Sequence, residues 1–318
     1  MRFVCPDGEP QFRELLDETW IRRLRKGGHE LDWHDRPPRD RDEWTERLRG
    51  ADGVLLMWSL PPGLLSACPS VRVVSFAGTG VESYVDMEEA RSGGVVVCNV
   101  PRYGANAIAE HAFALALAVA RRVAEGDRIV RRAVWGPGQT SGIELRGRRL
   151  GVVGAGPIGA RVIEIGRALE MDPIAWTRSP SPERAERLGA RFVSLEELFS
   201  AADIVTLHLA HVPETEHIVD RQLLSLLRPH AILVNTARAQ LIDMDALVDL
   251  LQSGGILGAG LDVFETEPLP ARHPLLALER VVLTPHVGFN TPEATAELLR
   301  VALGNLLAFA DGEPTNVR

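Results

Sequence analysis

Lysine is nearly missing from this chain: Lys26 is the only one, and arginine supplies the other basic residues, which points to the base composition of the gene more than to function. Cysteine is scarce too. Cys5, Cys68 and Cys98 are odd in number and widely spaced, which excludes a disulfide framework or a cysteine metal site and reads as small buried hydrophobes in a reducing compartment. No metal ligand set is expected. No apolar run has spanning length, which excludes a transmembrane helix. The N-terminus lacks the apolar stretch of a signal peptide, so a cytoplasmic protein is expected. Positive charge is in deficit: the formal net charge of −8 argues against a nucleic-acid footprint.

What is present is an ordinary globular composition, 45% hydrophobic and 25% charged, in 318 residues, long enough for two domains. Apolar strand candidates over residues 3–5, 30–34, 53–57, 71–76 and 95–99 alternate with helical periodicity over 11–25 and 44–48. In the 11–25 stretch Leu15, Leu16, Trp20, Ile21 and Leu24 are set at helical spacing. A long Ala- and Leu-rich helix is predicted over 106–131, followed by a Gly- and Pro-containing loop over 133–147. Beyond it strands at 150–153, 173–176, 191–193, 204–209, 231–235, 258–263 and 281–283 again alternate with helices, and a terminal helix covers 291–312. Such alternation implies parallel sheets with helices on their faces. The expected fold is α/β, with two Rossmann-like or flavodoxin-like doubly wound domains. Residues 1–98 with 290–318 are expected to form one domain, the last helix returning to the first, and 99–289 the other.

The stretch that organises the chain runs from Arg149 to Ser179. Gly154, Gly156 and Gly159 stand at G-x-G-x-x-G spacing after a strand and at the start of a helix, with Pro157 and Ile158 between them. Such glycines can serve a tight turn alone. With both strands and the helix present, they point to a dinucleotide site, because a helix N-terminus offers free N–H groups and a positive dipole end to a pyrophosphate. At the end of the second strand an acid would take a ribose 2′-hydroxyl, whereas Thr177, Arg178 and Ser179 suit a 2′-phosphate. NADP is therefore favoured; the alternative is NAD, with Arg178 stacked on adenine.

Three polar residues follow apolar strands, at the ends where open α/β sheets bind ligands: Arg238, Glu267 and His286. An arginine can hold a carboxylate with two parallel bonds. A histidine can protonate a carbonyl oxygen near neutral pH, and a carboxylate beside it favours the imidazolium. Singly, each has a bland reading as a solvated loop arginine, a satisfied cap or a surface acid.

Together with the glycine turn these residues bring a resemblance into view. The runs Asn99 to His111, Leu207 to Thr215, Asn235 to Asp243, Leu261 to Leu269 and Thr284 to Gly288 resemble, across nearly the whole chain, the D-isomer-specific 2-hydroxyacid dehydrogenases. The resemblance implies that Arg238 binds substrate, that His286 is the acid/base and that Glu267 orients it. It implies that Asp262 contacts a nicotinamide carboxamide, and that Pro213, Thr236, Ala237 and Gly288 also line the dinucleotide site. Gly78, Thr79 and Gly80 would offer N–H groups to a substrate carboxylate, and Tyr103 would face the substrate. Arg102 beside it could instead meet a second anionic group; the bland reading of both is an exposed hinge loop. Glu267 stands where formate dehydrogenases of the superfamily have Gln, which disfavours formate. Met57 and Trp58 fall near an arginine of phosphoglycerate-type members, so a phosphate-bearing substrate loses support. Ala239 replaces the usual glycine after the arginine and asks for an ordinary φ. The implied activity is reduction of a small 2-oxo acid, such as glyoxylate, hydroxypyruvate or pyruvate, to its D-2-hydroxy acid, or the reverse, by a homodimer. The C-terminal-binding corepressors share this fold and triad, so a nucleotide-sensing interaction protein is the rival. Those proteins carry extra tails, and none is expected beyond Arg318.

Overall fold

The strands of both sheets pair with one another in parallel throughout. The structure, a computed structural model, describes residues 1–16, 18–136 and 140–318. Strands β1 (Arg2–Cys5), β2 (Glu30–Trp33), β3 (Gly53–Leu56), β4 (Val73–Phe76) and β5 (Val96–Cys98) form one sheet in the order β2-β1-β3-β4-β5, which is flavodoxin-like. Strands β6 (Arg149–Val153), β7 (Asp172–Trp176), β8 (Arg191–Phe192), β9 (Ile204–Leu207), β10 (Ile232–Asn235), β11 (Gly258–Leu261) and β12 (Val281–Leu283) form the second, in the order β12-β11-β10-β9-β6-β7-β8. Its order reverses between β6 and β9. That is a dinucleotide-type sheet extended by one strand.

The chain divides into two compact units, Met1–Tyr103 with Thr291–Arg318, and Gly104–Asn290. Residues 99–103 therefore go with the first unit rather than the second. Hydrogen bonds hold them there: Val100 N–H donates to Gly78 O at 2.8 Å and Asn99 N–H to Asn316 O at 3.1 Å.

In the first unit β3 and β4 are buried along their whole length, as strands covered on both faces must be. The helix Pro292–Ala310 packs on them. Thr291 caps it by accepting from Ala294 N–H, and Leu298, Leu299, Ala302, Leu303 and Leu306 form its buried face. The single helix expected over 11–25 is instead two, Pro10–Arg13 and Glu18–Lys26, with Asp17 outside the described residues. Only Phe12 and Leu24 of these helices are buried, so the apolar pattern had little core to bind to.

The second unit is built around Leu198, Phe199, Ile204 and Leu207, all fully buried and each worth roughly 1.5–3 kcal/mol of hydrophobic stabilisation. The long helix expected over 106–131 is broken into Ala105–Ala120 and Val123–Arg131. Ile143 N–H donates to the Ala120 carbonyl at 2.8 Å, which takes the acceptor that residue 124 would use to continue the helix. Arg122 then turns left-handed at φ +52°. In the loop expected over 133–147, residues 133–136 and 140–147 carry no strand or helix; 137–139 lie outside the described residues. Helix Ala105–Ala120 lies close on β11 because Gly260 has no side chain: a Cβ there would stand 2.7 Å from Leu115 Cβ.

Candidate active site

Functional residues of the second unit gather at the carboxyl ends of its strands, beginning at the reversal between β6 and β9. Gly154 follows β6 at φ +100°, and a Cβ on it would stand 2.6 Å from the His208 carbonyl at the end of β9. A Cβ on Gly159 would lie 1.9 Å from the Gly154 carbonyl, so helix Pro157–Ala168 can start this close to the strand only with glycine there. Gly156 differs: a Cβ on it meets nothing within 4 Å. The helix begins at Gly156 with no side chain capping it, and Pro157 at its first position has no N–H. Ile158 and Gly159 thus carry the first amides of an uncapped N-terminus, which is the chemistry a pyrophosphate takes. At the end of β10, two strands along from β6, the Thr236 hydroxyl is buried with no hydrogen-bond partner among the described residues. An open cradle at Gly156, an uncapped helix start and an orphaned buried hydroxyl fit a dinucleotide; Gly154, Gly156, Pro157, Ile158, Gly159 and Thr236 would hold it, and its nicotinamide would supply the hydride.

At the end of β7, Thr177 is half-buried and Arg178 and Ser179 are exposed, with no carboxylate among them. Arg184 reaches this turn from the next helix. Its guanidinium donates to Ser179 O at 2.7 Å, to Ala155 O at 2.9 Å and to Thr177 Oγ1 at 3.4 Å, and it covers the Phe192 ring. Sequence reading passed over Arg184; its placement five residues beyond the strand-end arginine-serine pair was the available signal. Pro213 opens a short turn after β9, braced by Thr215, whose hydroxyl donates to Ala210 O and accepts from Val212 N–H.

Arg238, Glu267 and His286 leave the ends of β10, β11 and β12, which are neighbours. Asn235, Leu261 and Leu283 are in register there. His286 Nδ1 and Glu267 Oε2 are 2.9 Å apart, and Glu267 Oε1 accepts from Phe264 N–H at 3.0 Å. With the carboxylate accepting, Nδ1 carries the proton and Nε2 is the working nitrogen. Arg238 is half-buried and its guanidinium donates to Ala237 O at 2.7 Å. The turn that presents it is made by Asn235, fully buried: its Oδ1 accepts from Ala237 N–H and its Nδ2 donates to Arg238 O. Ala239 begins a short 3-10 turn without left-handed backbone, so the missing glycine is not needed.

Asp262 braces the histidine loop. It is 1% exposed, its Oδ1 accepts from Thr284 Oγ1 and Val287 N–H, and its Oδ2 accepts from Gly288 N–H. Gly288 likewise gives its amide to Asp262. Both residues are engaged within the histidine loop. Burial would raise the Asp262 carboxyl, yet the nearby His111 imidazole, the Thr284 hydroxyl and the loop amides outweigh it and hold the group below its ordinary range. His208 is half-buried with its Nδ1 buried and unpartnered, and desolvation pushes it down to about 3, so it stays neutral.

In the first unit, the turn Gly78-Thr79-Gly80 follows β4. Gly78 lies against the Phe76 ring, Thr79 Oγ1 donates to Val100 O at 3.1 Å and Asn99 Nδ2 donates to Thr79 O. The amides of Thr79 and Gly80 donate to no group among the described residues. Met57 N–H and Trp58 N–H donate to Asp7, a buried carboxylate that sequence reading passed over. Tyr103 closes this unit half-buried, beside Arg102 at φ +69°. Among the described residues no cluster of His, Cys, Asp and Glu is placed to hold a metal, and no helix is long and apolar enough to cross a membrane.

Residues 113–288 match the family model of the D-isomer-specific 2-hydroxyacid dehydrogenases, NAD-binding domain. The chain belongs to this family. It is an oxidoreductase that interconverts a small 2-oxo acid and its D-2-hydroxy acid with a nicotinamide dinucleotide. A glyoxylate reductase of Aeropyrum pernix is 41% identical over 99% of this dehydrogenase and 94% of its own length. The TT0316 protein of Thermus thermophilus superposes with a TM-score of 0.89 at 36% identity, covering 100% of this chain and 99% of its own. An acyclic imino acid reductase, solved with NADPH and D-Arg, superposes at 0.88 with 27% identity over the whole of both chains. None of these relatives is named as a corepressor.

Proposed function

We propose that this dehydrogenase is a glyoxylate- or hydroxypyruvate-reducing enzyme that uses NADPH. The observation that carries the reading is the His286–Glu267 pair, 2.9 Å apart at a strand end beside the one that presents Arg238. The Arg238 guanidinium takes the carboxylate and carbonyl oxygen of the 2-oxo acid. His286 delivers a proton from Nε2 to that oxygen, while Glu267 fixes its tautomer and ring plane through Nδ1. The amides of Thr79 and Gly80, which donate to no described residue, belong with Gly78 and Tyr103 to the substrate side, and Ala237 and Pro213 to the dinucleotide side. Preference for glyoxylate is supported by the Aeropyrum pernix relative's name and by a Trp58, 41% exposed, where an arginine would favour phosphate. Use of NADPH is supported by the acid-free turn Thr177-Arg178-Ser179, by Arg184 behind it and by the cofactor of the imino acid reductase.

A homodimer is supported by the apolar surface of Val123, Val130 and Val134 with Trp135, which is 85% exposed. A cytoplasmic location is supported by three free, buried cysteines. The test is a kinetic screen of 2-oxo acids with both reduced cofactors, with His286→Ala as control. Turnover by that variant should fall by roughly 10²–10⁴-fold with dinucleotide affinity little changed. Undiminished turnover removes His286 as the acid, and equal affinity for NADH and NADPH removes the phosphate reading of Arg178.

A further inference from the structure

His286, the proposed acid, has a left-handed backbone, φ +54°, which a residue with a Cβ rarely adopts. Something must hold it there. Its own N–H is shared between Asp262 O at 2.8 Å and Thr284 O at 3.0 Å. The two amides that follow, Val287 and Gly288, each donate to one oxygen of the Asp262 carboxylate, at 2.9 and 2.8 Å. Gly288 has to be glycine, because a Cβ on it would stand 2.9 Å from that carboxylate and 3.3 Å from the His111 ring. The histidine loop is therefore wrapped on Asp262, and the position of His286 is set by where that carboxylate sits.

The Asp262 side chain is itself held from outside the loop. Thr284 Oγ1 lies 2.6 Å from Asp262 Oδ1. A carboxylate only accepts, so the single hydroxyl proton points at it. Thr284 Oγ1 must then accept from its other neighbour, His111 Nε2, at 2.9 Å. The proton on that nitrogen is therefore the one that points at Thr284. The same nitrogen is 3.4 Å from Asp262 Oδ1. His111 projects from the otherwise alanine- and leucine-rich helix Ala105–Ala120, four residues before the Leu115 that packs on Gly260 of β11.

We propose that His111 is a positioning residue for His286, acting through a one-way chain of hydrogen bonds from His111 Nε2–H to Thr284 Oγ1–H to the Asp262 carboxylate. It ties the working loop to the rigid helix beside it. The proposal rests on the reading of His286 as the acid. His111 need not touch substrate or dinucleotide; it keeps the imidazole aimed.

The test is a double-mutant cycle with direct titration of NADPH binding. His111→Ala should lower kcat by about tenfold while leaving the dinucleotide Kd within about twofold, because misplacing a reacting group slows chemistry without altering cofactor contacts. His111→Gln, which keeps an N–H donor near the Nε2 position, should recover kcat to within about threefold of the parent. The double variant His111→Ala/His286→Gln should be no slower than His286→Gln alone. The proposal is overturned by an unchanged kcat in His111→Ala, by no recovery in His111→Gln, by a loss that appears in the dinucleotide Kd, or by losses that add in the double variant. Full turnover by His286→Gln alone would instead remove the functional reading, and this inference with it.

Discussion

Asp7 is a carboxylate with almost no surface, held in the first unit by the amides of Met57 and Trp58. Burial pushes it up to about 6, and the amide hydrogen bonds offset only part of that. A raised folded value means that the native state binds its proton more tightly than the unfolded chain between about pH 4 and 6. Its contribution is therefore fully present below that window and is lost as pH rises through it, by about 3 kcal/mol for a rise of this size. Asp7→Asn, which cannot ionise, should gain in relative stability as pH rises. Urea unfolding at pH 4.5 and 7 would show the gap between variant and parent changing in its favour, and a gap independent of pH would refute the assignment. Asp7 escapes notice in the sequence, and His111 and Asn235 stand in the matching runs without a role, because their partners lie elsewhere along the chain or are backbone atoms, which leave no mark in a residue string. Arg238, Glu267 and His286 are legible because each breaks an apolar run near a strand's carboxyl end. Asp262 is legible as polar and well placed, but only the fold shows that its oxygens serve the loop.

Among the elements, the β6–helix–β7 unit is the most legible, since its glycines answer to constraints a few residues apart. Those constraints differ, and the difference is testable. A methyl on Gly159 would collide with the Gly154 carbonyl at 1.9 Å, a backbone atom that cannot swing aside. One on Gly156, whose φ of −72° suits any residue, meets open space. Gly159→Ala should lower the melting temperature, with a loss of at least about 1–3 kcal/mol from overpacking. Gly156→Ala should melt like the parent and yet bind NADPH more weakly, because its methyl enters the space that a pyrophosphate would approach. Equal melting of both variants would show that the helix can retreat from the strand. The long apolar helix was less legible. Periodicity continues through Arg121 and Arg122, but the break is imposed by Ile143, which arrives from a distant segment to take the Ala120 carbonyl.

At the scale of the whole molecule, the first unit is closed only when the chain comes back to it. Helix Pro292–Ala310 covers β3 and β4, and the tail beyond it lies along β5: Val317 bridges Cys98 antiparallel, Arg318 N–H donates to Val97 O at 2.9 Å and Asn316 O accepts from Asn99 N–H. The tail thus blunts an edge that would otherwise present unpaired backbone groups. Asn305, 1% exposed, joins the layers. Its Nδ2 donates to Asn99 O at 3.0 Å, and its Oδ1 accepts from Thr315 Oγ1 at 3.0 Å and Asn316 Nδ2 at 2.8 Å. Deleting residues 313–318 leaves that buried oxygen without donors, a loss of about 1–3 kcal/mol before the edge itself is counted. Hydrogen exchange should then show the Asn99 amide exposed while amides of β9 and β10, whose partners all lie within Gly104–Asn290, keep their protection. An Asn99 amide still protected in the shortened chain would mean that the tail merely lies on a sheet that is already complete. The return of the last helix was legible as a lone amphipathic segment after the final strand; the clasp made by six further residues was not, because a single antiparallel bridge has no periodicity to read.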